Sequence, residues 1–387
     1  MERHRIEPRE GWQAKAEAVG FGFGFHEMYG EPYWLDDTYY RFSLAEIEDE
    51  IEAPTQALHD LCLDLVAEVA QSDALMAQLD IPPEQFDFVR RSFASGEPSL
   101  YGRFDLAYDG RGPAKLLEYN ADTPTGIFEA AYFQHNWLTD QIELGRLAGD
   151  ADQFNLLQES LIAAFGAFPA DRIFHFAAVT ESDEDRGTAA YLMDCAVQAG
   201  HRTALIDMAA IGVDALGRFT DPQDRVIDRC FKLYPWEDMM REPFAPHLSA
   251  SGTQWVEPAW KAILSNKGIL PLLWERHPGH PNLLPAYFEG DPRAAALEHS
   301  VRKPFFSREG ENISILKAGE TDEATDGDYG SGRSVIQALT SLFEAEGQFA
   351  VLGTWIVGTE AAGLGIREDR SRITRNLSRF VPHVIQD

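Results

Sequence analysis

Tyr101–Asp122 reads YGRFDLAYDGRGPAKLLEYNAD. Two runs of strand character flank DGRGP, a segment rich in turn residues, which predicts an antiparallel hairpin. Side chains two apart on a strand share a face. Arg103 and Asp105 therefore share one face, and Phe104, Leu106 and Tyr108 the other. On the second run Glu118 and Asn120 lie together, opposite Leu117, Tyr119 and Ala121. With the apolar faces turned to a core, the remaining face gathers a guanidinium, two carboxylates and a carboxamide. Two readings stand: a solvated sheet face carrying an Arg–Asp pair, or a magnesium site. Mg2+ takes hard oxygen donors and shares them with phosphates.

The rest of the chain bounds the partners. Its 387 residues are enough for two or three structural units, and 44% hydrophobic content predicts a folded rather than a disordered protein. Against 33 Lys and Arg stand 63 Asp and Glu, a formal charge of −30. Nucleic-acid binding needs a basic face, so it is not expected. The acidity suits a cationic ligand and serves solubility equally. Cys62, Cys195 and Cys230 are far apart and form no CxxC, so neither a disulfide framework nor a zinc ribbon is expected, and a cytoplasmic setting fits. The N-terminal MERHRIEPREGW lacks the apolar core of a signal peptide, and no apolar run is long enough to span a membrane.

Gly20, Gly22 and Gly24 do not complete GxGxxG, which sets aside a dinucleotide site. Ser43-Leu44-Ala45-Glu46 is a capping box that starts a helix running to about Ala70, with Pro54 as a candidate break. Residues 83–95 and 126–148 read as helical. From Arg172 a buried strand, a helix stopped by Gly200 and the strand RTALIDM make a βαβ unit, which predicts a parallel sheet. Asp183, Glu184 and Asp185 begin that helix. They read as acidic capping of its dipole, at a strand end where parallel sheets also bind ligands. Beyond Trp260, NKGILPLLW, RKPFFSREGENISIL, FAVLGTWIVG and GLGIRED read as apolar strands between Gly-containing loops, and 319–334 as an acidic surface loop.

Lys303 precedes two phenylalanines, and the Ser307–Asn312 loop that follows could lay backbone N–H groups and Arg308 on phosphate oxygens. Lys267 and Arg367 add cations in two further motifs. No Walker A sequence, GxSxG or HExxH occurs. Three cationic motifs and one oxygen cluster suggest a nucleotide bridging the two halves.

Together RFD…EYNAD, NKGILPLLW, RKPFFSREGENIS and LGTWIVG…GLGIRED resemble the synthetase domain of the glutathionylspermidine synthase family, an ATP-grasp fold. The resemblance runs from about Gly20 to Asp369. It implies ATP and Mg2+ as cofactors, with Asp105, Glu118 and Asn120 as metal ligands and Arg103 at the reacting phosphoryl group. Lys267 and Lys303 correspond to lysines that grip ATP. Arg308, Glu309, Gly310 and Glu311 correspond to a loop closing over the phosphates, and Arg367 to a second transition-state arginine. Thr123 stands where the family has a hydroxyl residue touching glutathione, and Glu184 and Asp185 fall near its acidic glutathione-binding positions. Two departures are visible. The amidase domain of two-domain members has no room here, and the family's Lys-Thr-Trp segment reads Lys232-Leu233-Tyr234-Pro235-Trp236, without the hydroxyl.

The expected fold is mixed α/β: a helical N-terminal region with the metal hairpin (1–125), a central βαβ-containing substrate unit preceding the ATP-grasp part (126–259) and a C-terminal ATP-grasp lobe (260–387). The expected activity joins a small carboxylate, a peptide or amino acid, to an amine such as a polyamine, with no nucleic-acid or membrane partner. A catalytically degenerate ATP-binding regulator and a phosphotransferase are the rival readings.

Overall fold

The hairpin forms, but it is not an isolated unit. In the computed structural model, which describes residues 1–386, it supplies two strands of an antiparallel sheet. The order is Arg379–Val381, Glu360–Asp369, Gln348–Val357, Tyr101–Ala107, Lys115–Asn120, with Phe343–Ala345 paired alongside Gln348–Val357. Strands from the first and last thirds of the sequence thus build one sheet.

The register pairs Arg103 with Asn120, Phe104 with Tyr119 and Asp105 with Glu118. A bulge follows Asp105, and Leu106 pairs with Leu116. This corrects the simple alternation: Leu116 is fully buried, whereas Leu117 lies half-buried at the cleft described below. A bulge adds one residue to one strand and so reverses which side chains point inward.

One face of this sheet packs on the Ala53–Val69 helix through Phe104, Leu106, Leu352 and Ile356, with Thr55 Oγ1 donating to Thr354 Oγ1 at 2.9 Å. The other face is divided. Trp355 and Val357 join an aromatic core with Leu157, Leu161 and Phe380, while Arg103, Asp105 and Val351 open onto the cleft.

The capping box closes as expected, Ser43 N–H donating to Glu46 Oε2 at 3.0 Å and Glu46 N–H to Ser43 Oγ at 3.2 Å. Pro54 does not break the helix. It lies in the first turn of Ala53–Val69, after a wider π-type stretch at Glu46–Glu52. Helical turns precede it, and the wider π-type ladder at this junction accommodates the ring and its missing N–H.

The βαβ unit is present. Ile173–Ala178, Arg202–Asp207, Arg229–Leu233 and Gln254–Val256 form a parallel sheet, and the Asp183–Gln198 helix is N-capped by Ser182, whose hydroxyl accepts Asp185 N–H at 3.2 Å.

A second antiparallel sheet runs Ala286–Phe288, Ser334–Ala338, His299–Pro304, Ser314–Lys317, Glu320–Ala324. Two sequence expectations change here. ILPLLWER is a helix, Ile269–Arg276, because a short buried apolar run carries no periodicity to tell the two states apart. Part of the acidic 319–334 segment is an edge strand, Glu320–Ala324, whose charges guard an open edge. Glu2–Arg5, Thr38–Phe42 and His383–Ile385 form a third small sheet. Among the described residues no helix is long and apolar enough to cross a membrane.

Candidate active site

A cleft of about 920 Å3 lies between the two antiparallel sheets and the N-terminal end of the Asp183–Gln198 helix. Of the residues singled out by sequence, Arg103, Asp105, Glu118, Asn120, Thr123, Glu184, Asp185, Lys267, Lys303, Arg308, Glu309, Gly310 and Arg367 all line it. Glu311 does not. Its Oε2 accepts Asp328 N–H at 3.1 Å, which turns it toward the neighbouring loop.

The sheet floor carries the oxygen cluster. Asp105 and Glu118 are cross-strand partners, a placement that repels when both are ionised. Cations hold each of them. Arg103 donates to Asp105 through Nε at 2.6 Å and Nη2 at 3.1 Å, and through Nη1 to Thr125 O at 2.6 Å. Lys267 Nζ stands 3.0 Å from Glu118 Oε2 and donates to Ser307 O at 2.5 Å. Between the carboxylates, Asn120 Nδ2 donates to Asp105 Oδ2 and Glu118 Oε1, each at 3.1 Å.

Burial pushes Glu118 up, but Lys267, Lys303 and Asn120 more than offset it and hold its pKa at about 2. Burial raises the Asp105 pKa, with Arg103 only partly offsetting it and Glu118 adding to it.

Among the described residues no three His, Cys, Asp or Glu side chains cluster as a metal cage. The set here is two carboxylates and an amide, and a half-turn of the Asn120 amide presents a third oxygen. That donor chemistry fits Mg2+, which takes few protein oxygens and completes its shell with water and phosphate.

Lys303 faces the cluster from the second sheet. Its Nζ donates to Leu117 O at 2.9 Å and to Gln337 Oε1 at 2.7 Å. Burial pushes its pKa down to about 8, with Glu118 pulling it back. Behind it Val301, Ile315, Leu339, Leu342 and Phe349 give the cleft an apolar end.

The Ser307–Asn312 loop is folded back onto the 371–376 segment. Glu309, Gly310 and Asn312 all have positive φ, and a Cβ on Gly310 would lie 2.2 Å from Thr374 O. Ile313, Ile315 and Ile373 form a small apolar cluster beside it. Arg308 donates to the Thr123 hydroxyl and to Glu237. Arg367 donates to Ser378 O at 2.7 Å and Asn376 O at 2.5 Å, and lies 4.9 Å over the Tyr33 ring.

At the far end, Glu184 and Asp185 line the cleft while Asp183 is exposed and paired with Arg186. Burial, then Glu184 and Glu309, push the Asp185 pKa up to about 7, with Arg308 pulling down.

Sequence reasoning missed Gln337, Gly353 and Glu237. Gly353 pairs with Asp105, and a Cβ there would sit 2.9 Å from Arg103 Cδ. The glycine gives the arginine stem its path across the sheet. Its signal was present as the lone glycine of the buried run AVLGTWIV.

The family profile described as glutathionylspermidine synthase preATP-grasp matches residues 3–386. The chain belongs to that family. This agrees with the resemblance carried by the motifs. Among members of the glutathionylspermidine synthase family, a Haemophilus influenzae protein with the provisional name acid–amine ligase is 38% identical over 382 residues, covering 95% of each chain. Trypanothione synthetase of Crithidia fasciculata is 29% identical over 342 residues, 82% of this chain and 52% of that one. The bifunctional glutathionylspermidine synthetase/amidase of Escherichia coli is 26% identical over 378 residues, 90% of this chain and 60% of that one. The chain thus spans only about half to three-fifths of these two larger relatives. Among solved structures, a glutathione synthetase-like effector from Globodera pallida superposes with a TM-score of 0.52 at 10% identity, covering 99% of this chain and 100% of that one. That likeness concerns the fold, a mixed α/β architecture of the ATP-grasp kind with the parallel sheet as its preceding unit.

Proposed function

We propose that the chain is an ATP-dependent carboxylate–amine ligase whose reaction passes through an acyl phosphate. The observation that carries this reading is one cleft wall bearing Asp105, Glu118 and Asn120, faced by Lys267 and Lys303 and rimmed by Arg308 and Arg367. Such a surface complements a polyphosphate and its metal. The family membership and the acid–amine ligase name of the Haemophilus relative support the reaction class.

Asp105, Glu118 and Asn120 would hold Mg2+, which when bound draws charge from the phosphate oxygens. Lys267 and Lys303 hold the nucleotide phosphates, and the apolar end beside Leu339 takes the base. Arg103, Arg308 and Arg367 offset charge on the transferring phosphoryl group, the main catalytic need in this chemistry. A substrate carboxylate oxygen attacks the γ-phosphorus and ADP leaves. The amine nitrogen then attacks the acyl carbon, the amide C–N bond forms and phosphate departs. Asp185, titrating near neutral pH, takes the proton that the amine loses. Glu309, Gly310 and the Ser307–Asn312 backbone exclude water from the acyl phosphate, whose hydrolysis would otherwise waste ATP.

The acid is a peptide or amino acid and the amine is cationic, the acidic end at Glu184 and Asp185 favouring positive charge. Glutathione binding is weakened by Leu233, which lines the cleft in place of the family's hydroxyl. A screen for ADP release against pairs of carboxylates and amines, with mass analysis of products, tests the reading. An amide product supports it. A phosphorylated acid as the stable product, or no ADP release with any pair, counts against it.

A further inference from the structure

Both partners of Arg308 hang from one buried carboxylate. Asp122 directly precedes Thr123. Its Oδ2 accepts Trp236 N–H at 2.8 Å, and Trp236 directly precedes Glu237. Asp122 is itself held by Lys232, whose Nζ lies 2.6 Å from Oδ1 and also donates to Tyr234 O at 2.9 Å. Both side chains of this pair are fully buried, and the ammonium sits 4.4 Å from the centre of the Trp236 ring.

A buried ion pair adds little net stability, because desolvation consumes most of the attraction, and an apolar pair packs as well. What it does supply is geometry, since both charges must stay in register. Here it fixes the 122–123 step of the cleft floor against the 232–237 segment of the parallel-sheet unit. Glu237 shows what that register serves. Its side chain is 9% exposed, one oxygen takes Arg308 Nη2, and the other is buried with no hydrogen-bond partner among the described residues. A carboxylate left half-satisfied in this way is unfavourable unless an adjacent cation compensates for it. Arg308 is that cation.

We infer that Glu237 is a positioning residue for Arg308, aligned with Thr123 by the Asp122–Lys232 pair so that the guanidinium is held over the phosphate end of the cleft. The inference rests on the ligase reading above. It also gives the Lys232–Trp236 segment a role that does not depend on which acid is bound. Arg308 lies on the loop of the second antiparallel sheet, whereas Thr123 lines the cleft from the end of the hairpin and Glu237 follows the cleft-lining Tyr234 and Pro235, so the contacts tie the loop to both segments.

The test is calorimetric titration of MgATP and MgADP into the full chain, needing no knowledge of the acid or amine. An arginine aimed at the γ-phosphate contributes to binding of the triphosphate and not of the diphosphate. Arg308→Ala and Glu237→Gln are each expected to weaken MgATP about tenfold, the effect of losing one charge-assisted contact, and to leave MgADP within about twofold. The double variant is expected to bind MgATP no more weakly than Arg308→Ala, because the two act as a unit. Loss of fold would weaken both nucleotides together. Should Glu237→Gln fail to fold, Glu237→Asp withdraws the carboxylate by one methylene and is expected to give the same selective loss. A Glu237 variant that keeps wild-type preference for MgATP while Arg308→Ala loses it overturns the inference alone. A wild-type chain that binds neither nucleotide overturns the ligase reading and this inference with it.

Discussion

Asp105 and Glu118 face each other across the hairpin, and the Asn120 amide donates a hydrogen bond to both. Two carboxylates in that relation repel, and each is tethered to its own cation, Arg103 or Lys267. The arrangement holds two charges together that would otherwise separate, which is what a site for a divalent cation requires.

Removal of Asp105 charge is the direct consequence to test. Asp105→Asn should reduce ADP release at least about hundredfold, the scale for losing one preorganised electrostatic contact. The wild type should melt at a higher temperature with Mg2+ and ATP, since a ligand stabilises the state it binds, and the variant should lose that rise. Of the two carboxylates Asp105 has the raised pKa and Glu118 stays ionised down to about pH 2. Acidification should therefore weaken metal binding through Asp105 first. A thermal scan with and without MgCl2 checks this, and an undiminished Mg2+ response in the variant would falsify the metal assignment.

Lys303 sets a limit on the alkaline side. Its pKa lies at about 8 against an ordinary 10.5, burial being the cause. Between those values the unfolded chain holds more protons than the folded one, so stability of the free protein due to this group rises with pH across that window. Nucleotide binding runs the other way, because phosphate needs the protonated ammonium. MgATP affinity should fall as pH climbs above about 8, and binding at pH 9 should take up a proton. Lys303→Arg, which stays charged, should flatten the profile. Calorimetry in buffers of different ionisation enthalpy measures the uptake, and no proton exchange at pH 9 is the contrary result.

Gly353→Ala tests a position with no polar atom of its own. The added methyl would press on the Arg103 stem, and overpacking of this kind costs about 1–3 kcal/mol. Because the strain falls on the arginine, kcat should drop about tenfold or more while the KM for ATP changes little. An unchanged kcat would mean that Arg103 has another path across the sheet.

Leu233→Thr addresses the acid. A hydroxyl at this wall restores one hydrogen bond, about 0.5–1.5 kcal/mol, or roughly three- to tenfold in affinity. Glutathione, offered as the carboxylate in the ADP-release assay, should show a KM lower by that factor. An equal KM in variant and parent separates Leu233 from substrate choice.

Much of this site was legible because it rests on local rules. Period-two alternation around DGRGP placed Arg103, Asp105, Glu118 and Asn120 together, and the βαβ pattern placed Glu184 and Asp185 at a strand end. The bulge after Asp105 was not legible, since nothing in LAYDG or KLLEY marks an extra residue, and it exchanges Leu116 for Leu117 in the core. The Ile269–Arg276 helix escaped because its first five residues, Ile269 to Leu273, are all buried and leave no periodicity to read. Glu237 and the Asp122–Lys232 pair escaped because their partners are remote, 71 and 110 positions away. A lone lysine inside the apolar strand RCFKL was the available signal, as a charge in such a place needs a counter-charge.

The sheet that bears Asp105 is closed by Gln348–Val357, where Leu352 pairs with Leu106. On the ribosome that partner strand emerges roughly 250 residues after the hairpin, or some 12–50 s later at about 5–20 residues per second. During that interval the hairpin has an unpaired edge, and the inner strand's hydrogen bonds must be borrowed from water or from a chaperone. Nascent chains stalled before Gln348 would therefore contain Asp105, Glu118 and Asn120 and still lack the sheet that holds them in place.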